Sequence, residues 1–197
     1  MRSNNAVMKI DAKTAAEVCA QFSLRPDAKV LLRNGMSPRE FIDALASGKQ
    51  YVTGMDFMAH ALPPRESIWW GALCLQYACG DNLSPLERTA LHCVVHWILQ
   101  PVEQVRLAAK GPADAVGPMS PSGALALAVY QTSANGAPGK SVAVLPKLGA
   151  PAKAVANAVK LACLRMPPAQ ITDTQRGFFE LAISVAEGRH PCPELSN

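Results

Sequence analysis

The sequence has little charge, few aromatic residues and no long hydrophobic run. Charged residues make up 17% of the 197 positions, aromatic residues 6%, and the formal net charge is only +4. A nucleic-acid-binding surface usually carries a denser basic face with aromatic side chains among the cations, so we expect no nucleic-acid partner. The longest apolar stretch, residues 68–79, falls short of the roughly 18 residues that a membrane span needs, so we also expect no span.

Two further absences concern the cellular compartment. The first residues of the chain lack the apolar segment of a signal peptide. The six cysteines, at positions 19, 74, 79, 93, 163 and 192, do not have the spacing of a disulfide framework in a chain of this length. These features predict a cytoplasmic protein with reduced, buried thiols.

Alanine and proline dominate what is present. The 32 alanines favour helix, and the 16 prolines require the helices to be short and often interrupted. Ser37 and Ser84 each open a Ser-Pro-x-Glu segment, which is the pattern of a capping box followed by a first-turn proline. The two boxes lie 47 residues apart, a spacing within the range of HEAT-like repeats. We predict an all-α fold, either an irregular bundle, which we prefer, or HEAT-like in part.

The bundle is predicted to contain eight or nine short helices in one domain over residues 1–197, with loose ends at about 1–10 and 189–197. Pro101 is expected to bend the helix that begins at residue 85 rather than to end its direction, and Gly111-Pro112 is expected to end the helical turns over residues 102–109. Helical spacing, caps and breakers place the helices at 12–22, 38–48, 51–62, 65–79, 85–100, 102–109, 121–132, 151–165 and 173–187.

His92 and His96 form the most prominent cluster that could carry chemistry. Histidines four residues apart share one helix face and can share a zinc ion. However, the metalloprotease pattern needs glutamate directly after the first histidine, and Cys93 stands there. Arg88 lies on the same helical line and disfavours a bound cation. We therefore expect a polar stripe; a metal site, with Cys74 or Cys79 as a third ligand, is the alternative.

Other catalytic or cofactor patterns are incomplete. Gly139-Lys140-Ser141 resembles the end of a phosphate-binding loop, but position 134 is alanine where that loop needs glycine. There is no Gly-x-Ser-x-Gly segment and no evident carboxylate pair. His60 is expected to satisfy carbonyl groups at a helix end. We predict a protein without cofactor and without enzymatic activity.

Trp69 and Trp70 are adjacent on a helix predicted to be apolar all round and therefore central. Adjacent helical side chains point about 100° apart, so the two indoles reach different neighbours. Both can anchor the core, or one can line a groove for a partner helix. Arg65, in the first turn of the same helix, opposes the helix dipole and is therefore expected to have a specific partner.

The only local excess of charge is a basic run of five cations without an acid. Its members are Lys140, Lys147, Lys153, Lys160 and Arg165. Lys153 and Lys160 are seven residues apart and share the polar face of one helix. We expect a solvated face; a contact surface for an acidic protein is the alternative. If the chain binds a partner, we favour this run over a groove beside the tryptophan pair as the surface that steers the partner.

The segment from Leu62 to Gly71, which contains Pro-Arg-Glu-Ser-Ile-Trp-Trp, together with Cys74 and the alanine-rich second half, resembles an uncharacterised bacterial family. Its members share a Pro-Arg-Glu-x-x-Trp-Trp helix and are associated with type VI secretion genes. The resemblance implies an accessory protein, an adaptor or co-chaperone, that binds a secreted effector, an adaptor or a spike protein. Together with the features above, it makes Arg65, Trp69, Trp70, Lys153 and Lys160 the candidate partner-binding residues.

Overall fold

α-Helices and one short 3₁₀-helix form all the regular structure in residues 8–132 and 149–194, which are the residues that the computed structural model describes. Eleven α-helices lie within these ranges, and eight of them have seven or more residues. The predicted all-α bundle is confirmed. The helices are α1 Ala15–Cys19, α2 Pro26–Lys29, α3 Pro38–Ser47, α4 Tyr51–Ala61, α5 Pro64–Cys79, α6 Pro85–Leu99, α7 Glu103–Ala108, α8 Lys110–Val116, α9 Pro121–Gln131, α10 Ala150–Cys163 and α11 Ile171–Ala186, with the 3₁₀-helix at Pro168–Gln170.

Both predicted capping boxes are present, and they set the starts of α3 and α6. The Ser37 hydroxyl accepts a hydrogen bond from the Glu40 amide, and the Glu40 carboxylate accepts one from the Ser37 amide at 2.8 Å. Ser84 and Glu87 repeat the same reciprocal pair. Each box satisfies two amide groups that a helix start otherwise leaves without a partner.

Three predicted boundaries were wrong. Gly111-Pro112 does not stop the helical turns, because both residues lie inside the first turn of α8. A proline there costs little, since its missing amide would have no partner in the helix. The first helix is shorter than residues 12–22, and the four-residue helix α2, which begins at Pro26, was not predicted. Pro101 does not bend one continuous helix, because α6 ends at Leu99 and α7 begins at Glu103.

Helix α5 occupies the centre of the bundle. It packs against α4, α6, α9, α10 and α11. Helices α1, α3 and α11 pack against α4, whereas α6, α7 and α8 pack against α9. Helix α10 contacts both α4 and α9. Because α4 and α10 are far apart in sequence, this pairing is that of an irregular bundle rather than of repeats that contact only their neighbours.

The core around α5 depends on a close helix approach at Gly71. A Cβ atom at this position would lie 2.7 Å from Leu125 Cδ1, closer than carbon atoms pack, so a larger residue would force the Leu125 side chain of α9 to move. One residue earlier, Trp70 is fully buried, and its indole Nε1 donates to the Phe178 carbonyl on α11 at 2.9 Å. Trp70 therefore joins the central helix to an outer one.

None of the helices in the described part of the chain combines the length and the hydrophobicity that crossing a membrane requires.

Candidate functional site

The five predicted partner-binding residues fall on two separate surfaces. Arg65, Trp69 and Trp70 lie in the first half of α5, whereas Lys153 and Lys160 lie on α10. The two surfaces differ in what already occupies them, and this difference decides which of them is the candidate site.

Trp70 cannot serve as a surface contact, and this part of the prediction is corrected. Its relative exposure is 0% because α11 covers it. Trp69 is partly exposed, and its Nε1 donates to the His190 carbonyl at 3.4 Å. The two indoles do reach different neighbours, as adjacent helical positions require.

Arg65 binds the chain's own backbone. Its Nε donates to the Ile98 carbonyl at 2.8 Å, and its guanidinium also donates to the Pro193 carbonyl. Glu66, the next residue, forms a salt bridge of 3.4 Å with Lys9. The described parts of both chain ends, predicted to be loose, are thus held against α5. The chain's own C-terminal segment thus contacts Arg65 and Trp69, beside which a groove for a partner helix was one of the alternatives.

Two cations of the basic run, Lys160 and Arg165, are paired with carboxylates in the folded chain. Lys160 Nζ lies 2.7 Å from an Asp56 carboxylate oxygen on α4, and Arg165 lies 2.6 Å from Glu87 on α6. Lys153 is exposed and has no carboxylate within 4 Å among the described residues. Lys140 and Lys147 lie outside the described residues, as does the Gly139-Lys140-Ser141 segment.

Glu87 accounts for the Arg165 end of the run as a structural contact. Its carboxylate completes the α6 capping box, and its Oε1 accepts from the Ser120 hydroxyl at 2.9 Å and from Arg165. Burial alone would raise the pKa of Glu87. The hydrogen bonds from Ser84 and Ser120 and the charge of Arg165 outweigh burial, so this pKa lies below its ordinary value. The carboxylate is ionised at neutral pH and connects α6, α9 and α10.

The two lysines of α10 open onto a cleft of about 220 Å³ between α4 and α10. We call it the α4–α10 cleft. On α4, Asp56 and His60 are four residues apart and share one face, while positions 153, 156 and 160 share the facing side of α10. Its lining residues are Phe22, Ser23, Asp56, His60, Lys153, Ala156 and Lys160.

His60 is the least satisfied polar side chain of this cleft. It is 9% exposed, and its ring stacks on Phe22 with the ring centroids 4.9 Å apart. Nδ1 lies 2.8 Å from the Asp56 backbone carbonyl, so Nδ1 carries the proton and donates it. In the neutral ring Nε2 is then an acceptor, and it has no hydrogen-bond partner among the described residues. A buried polar atom without a partner is uncommon and marks a position where a ligand or water can bind.

Burial, helped by two neighbouring lysines, keeps the His60 ring neutral. Burial lowers the pKa of His60 below its ordinary value, and the nearby Lys153 and Lys160 lower it further. The Asp56 carbonyl and carboxylate act in the opposite direction without outweighing burial. At neutral pH the cleft therefore offers a cation on Lys153 and a lone pair on Nε2.

The start of α10 lies beside the same ring. Gly149 has a left-handed φ of +79°, which glycine adopts without strain. A Cβ atom at Gly149 would come within 3.9 Å of His60 Nε2, and no side chain caps the helix at this end. The amide groups at the start of a 14-residue helix add positive potential to this end of the cleft.

A profile of a family of unknown function, DUF6931, matches residues 41–186, which is most of the chain. The chain belongs to this family. The matched range includes the α4 and α10 sides of the α4–α10 cleft and the whole of α5, but not Phe22 and Ser23. A search of curated proteins and a search of solved structures each found no match.

The alternative cluster on α6 is not assembled into a site. His92 and His96 lie exposed on one line, and His96 Nε2 is 3.3 Å from Gln100 Oε1. Within the ranges that the structure describes, no group of three or more His, Cys, Asp or Glu side chains is placed to hold a metal ion. Burial raises the pKa of Cys74 well above its ordinary value, and burial raises that of Cys79 as well. Protonated thiols of this kind are poor metal ligands.

The α10 side of the cleft was predictable from the sequence, but the α4 side was not. His60 was expected to satisfy carbonyl groups at a helix end, and its Nδ1 bonds the Asp56 carbonyl. The second nitrogen gave no signal, because its environment comes from α10 and from Phe22. The four-residue spacing of Asp56 and His60 was the one visible clue.

Proposed function

We propose that this chain is a non-catalytic accessory protein, an adaptor or co-chaperone, that binds an acidic segment of a protein partner in the α4–α10 cleft. The observation that carries this proposal is a positively charged cleft in which, among the described residues, Lys153 has no carboxylate partner and His60 Nε2 has no hydrogen-bond partner. Charge complementarity of this kind steers an encounter and selects partners.

The net charge of the cleft supports an acidic ligand. Its ionised side chains are two lysines and one aspartate, which give a net charge of +1 while His60 is neutral. Asp56 offsets Lys160 at 2.7 Å, so Lys153 is the cation available to a ligand. The α5 surface is less suited to partner binding, because Arg65 and Trp69 already donate hydrogen bonds to backbone carbonyls of the same chain.

The resemblance to a Pro-Arg-Glu-x-x-Trp-Trp family supports a finer proposal. In it the chain is cytoplasmic, and its partner is an effector or spike component of a type VI secretion system. The acidic segment that enters the cleft then belongs to that partner.

The proposal is tested by measuring the affinity of the purified chain for the effector and spike proteins encoded beside its gene. Lys153→Glu removes the available cation and is expected to weaken binding about tenfold, or ~1.4 kcal/mol. The matched control is Arg88→Glu, which makes the same charge change on an exposed residue of α6. Because salt screens exposed charges, the Lys153→Glu effect should shrink between low and high salt. Equal binding by wild type and Lys153→Glu at low salt would contradict the proposal.

A further inference from the structure

An anion that enters the α4–α10 cleft meets a conflict at His60. The neutral ring presents a lone pair at Nε2, because Nδ1 keeps the ring proton and donates a hydrogen bond to the Asp56 carbonyl. A carboxylate oxygen also presents lone pairs, and two acceptors cannot bond without a proton between them. The cation of Lys153 and the start of α10 attract the anion to this place, while Nε2 repels it.

We propose that the cleft binds a carboxylate of the partner's acidic segment together with one proton, which is held between His60 Nε2 and the carboxylate oxygen. This inference rests on the proposed function and adds its ligand chemistry and its dependence on pH. The proton comes from solvent, and no covalent bond forms or breaks apart from the N–H bond. Binding turns the unpartnered Nε2 into a charge-assisted donor.

Every charged group that faces the ring fits this description. Asp56 lies on its own helix and is paired with Lys160 of α10; Lys153 lies on α10 without a carboxylate partner among the described residues. Phe22 and Ser23, which precede α2, line the cleft without adding charge. No charged side chain of α1, α3, α5 or α11, the other helices packed on α4, lines the cleft in the described part of the chain.

A carboxylate side chain fits these charges. With His60 neutral the net charge of the lining is +1, and protonation of His60 makes it +2. A carboxylate bound together with its proton leaves the net charge at +1. On a protein partner, the side chains that supply such a group are aspartate and glutamate.

The proton is measurable by calorimetry on the full chain in two buffers of different ionisation enthalpy. The probe is an N-acetylated, C-amidated peptide of four glutamates flanked by glycines, and the glutamine version is its control. At pH 7 we expect uptake of close to one proton per bound glutamate peptide. Linkage then requires that the affinity fall up to tenfold per pH unit as the pH rises from the lowered pKa of free His60 toward its higher pKa in the complex.

His60→Gln separates the proton from the binding. A glutamine amide donates a hydrogen bond without a proton from solvent, so this variant should bind the glutamate peptide without proton uptake and without pH dependence. A circular-dichroism melt checks its folding, and an NMR titration of the wild-type His60 ring gives the same test without a variant. In that titration the pKa of His60 should rise when the glutamate peptide is added. Binding by wild type with no proton uptake and an unchanged His60 titration would overturn this inference and leave the proposed function standing. Failure of wild type to bind the glutamate peptide in preference to its glutamine control would overturn both.

Discussion

Replacing Trp70 by alanine tests whether α5 holds the bundle together. Trp70 is fully buried and donates to Phe178 on α11 at 2.9 Å, so the change leaves a cavity between two helices and removes a hydrogen bond. Large aromatic truncations of this kind cost about 3–5 kcal/mol. Total stabilities are about 5–15 kcal/mol, so this loss is a large share.

The matched comparison is Trp69→Ala. Trp69 is partly exposed, and its hydrogen bond to His190 is long, at 3.4 Å, so its removal should cost less than half as much. For a chain of this size each kcal/mol lowers the melting temperature by about 2–4 °C, which gives a drop of about 6–20 °C for Trp70→Ala. Urea unfolding and thermal melts of both variants measure the difference. Equal losses, or a larger loss for Trp69→Ala, would refute the assignment of Trp70 to the core.

Three further predictions concern charged and titrating groups. The free energy of unfolding should fall as the pH drops below about 6.5, the ordinary pKa of histidine, because His60 has a lowered pKa in the folded chain and the unfolded chain therefore binds the proton first. Urea unfolding between pH 5 and 8 measures this fall, and the contribution of His60 to it should disappear in His60→Gln. Lys160→Glu should destabilise the chain by about 1 kcal/mol, because it removes the ion pair with Asp56 and places a second carboxylate beside it. Lys153→Glu should change stability by less than about 0.5 kcal/mol, and equal effects of the two variants would contradict the pairing of Lys160 with Asp56. Glu87→Ala should lower the free energy of unfolding by about 1–3 kcal/mol, because it removes the capping box and the carboxylate that Arg165 and Ser120 bond. An unchanged free energy of unfolding would mean that solvent replaces these hydrogen bonds.

The helices were predictable where local chemistry decides them. Ser37 and Ser84 mark two helix starts because a capping box needs only four consecutive residues. The effect of Pro112 was predicted wrongly because a proline ends a helix in its interior but is tolerated in its first turn. Pro112 lies in the first turn because α8 begins at Lys110.

The binding surfaces were less predictable because they depend on contacts between distant segments. The acceptors of Arg65 are backbone carbonyls of Ile98 and Pro193, and any residue supplies a carbonyl, so they leave no pattern in the sequence. Lys160 looked unpaired because Asp56 lies 104 positions away along the chain. The polar face of α10 was visible from its spacing, but the residues opposite it were not.

An NMR titration of the isotope-labelled chain with the glutamate peptide tests the central claim most directly. The account predicts that the largest and saturable changes lie at His60, Lys153 and Ala156, which line the α4–α10 cleft. It also predicts that Lys153→Glu weakens these changes, whereas Arg88→Glu leaves them intact. Changes centred on Trp69 and the C-terminal segment, or no saturable change anywhere, would contradict it.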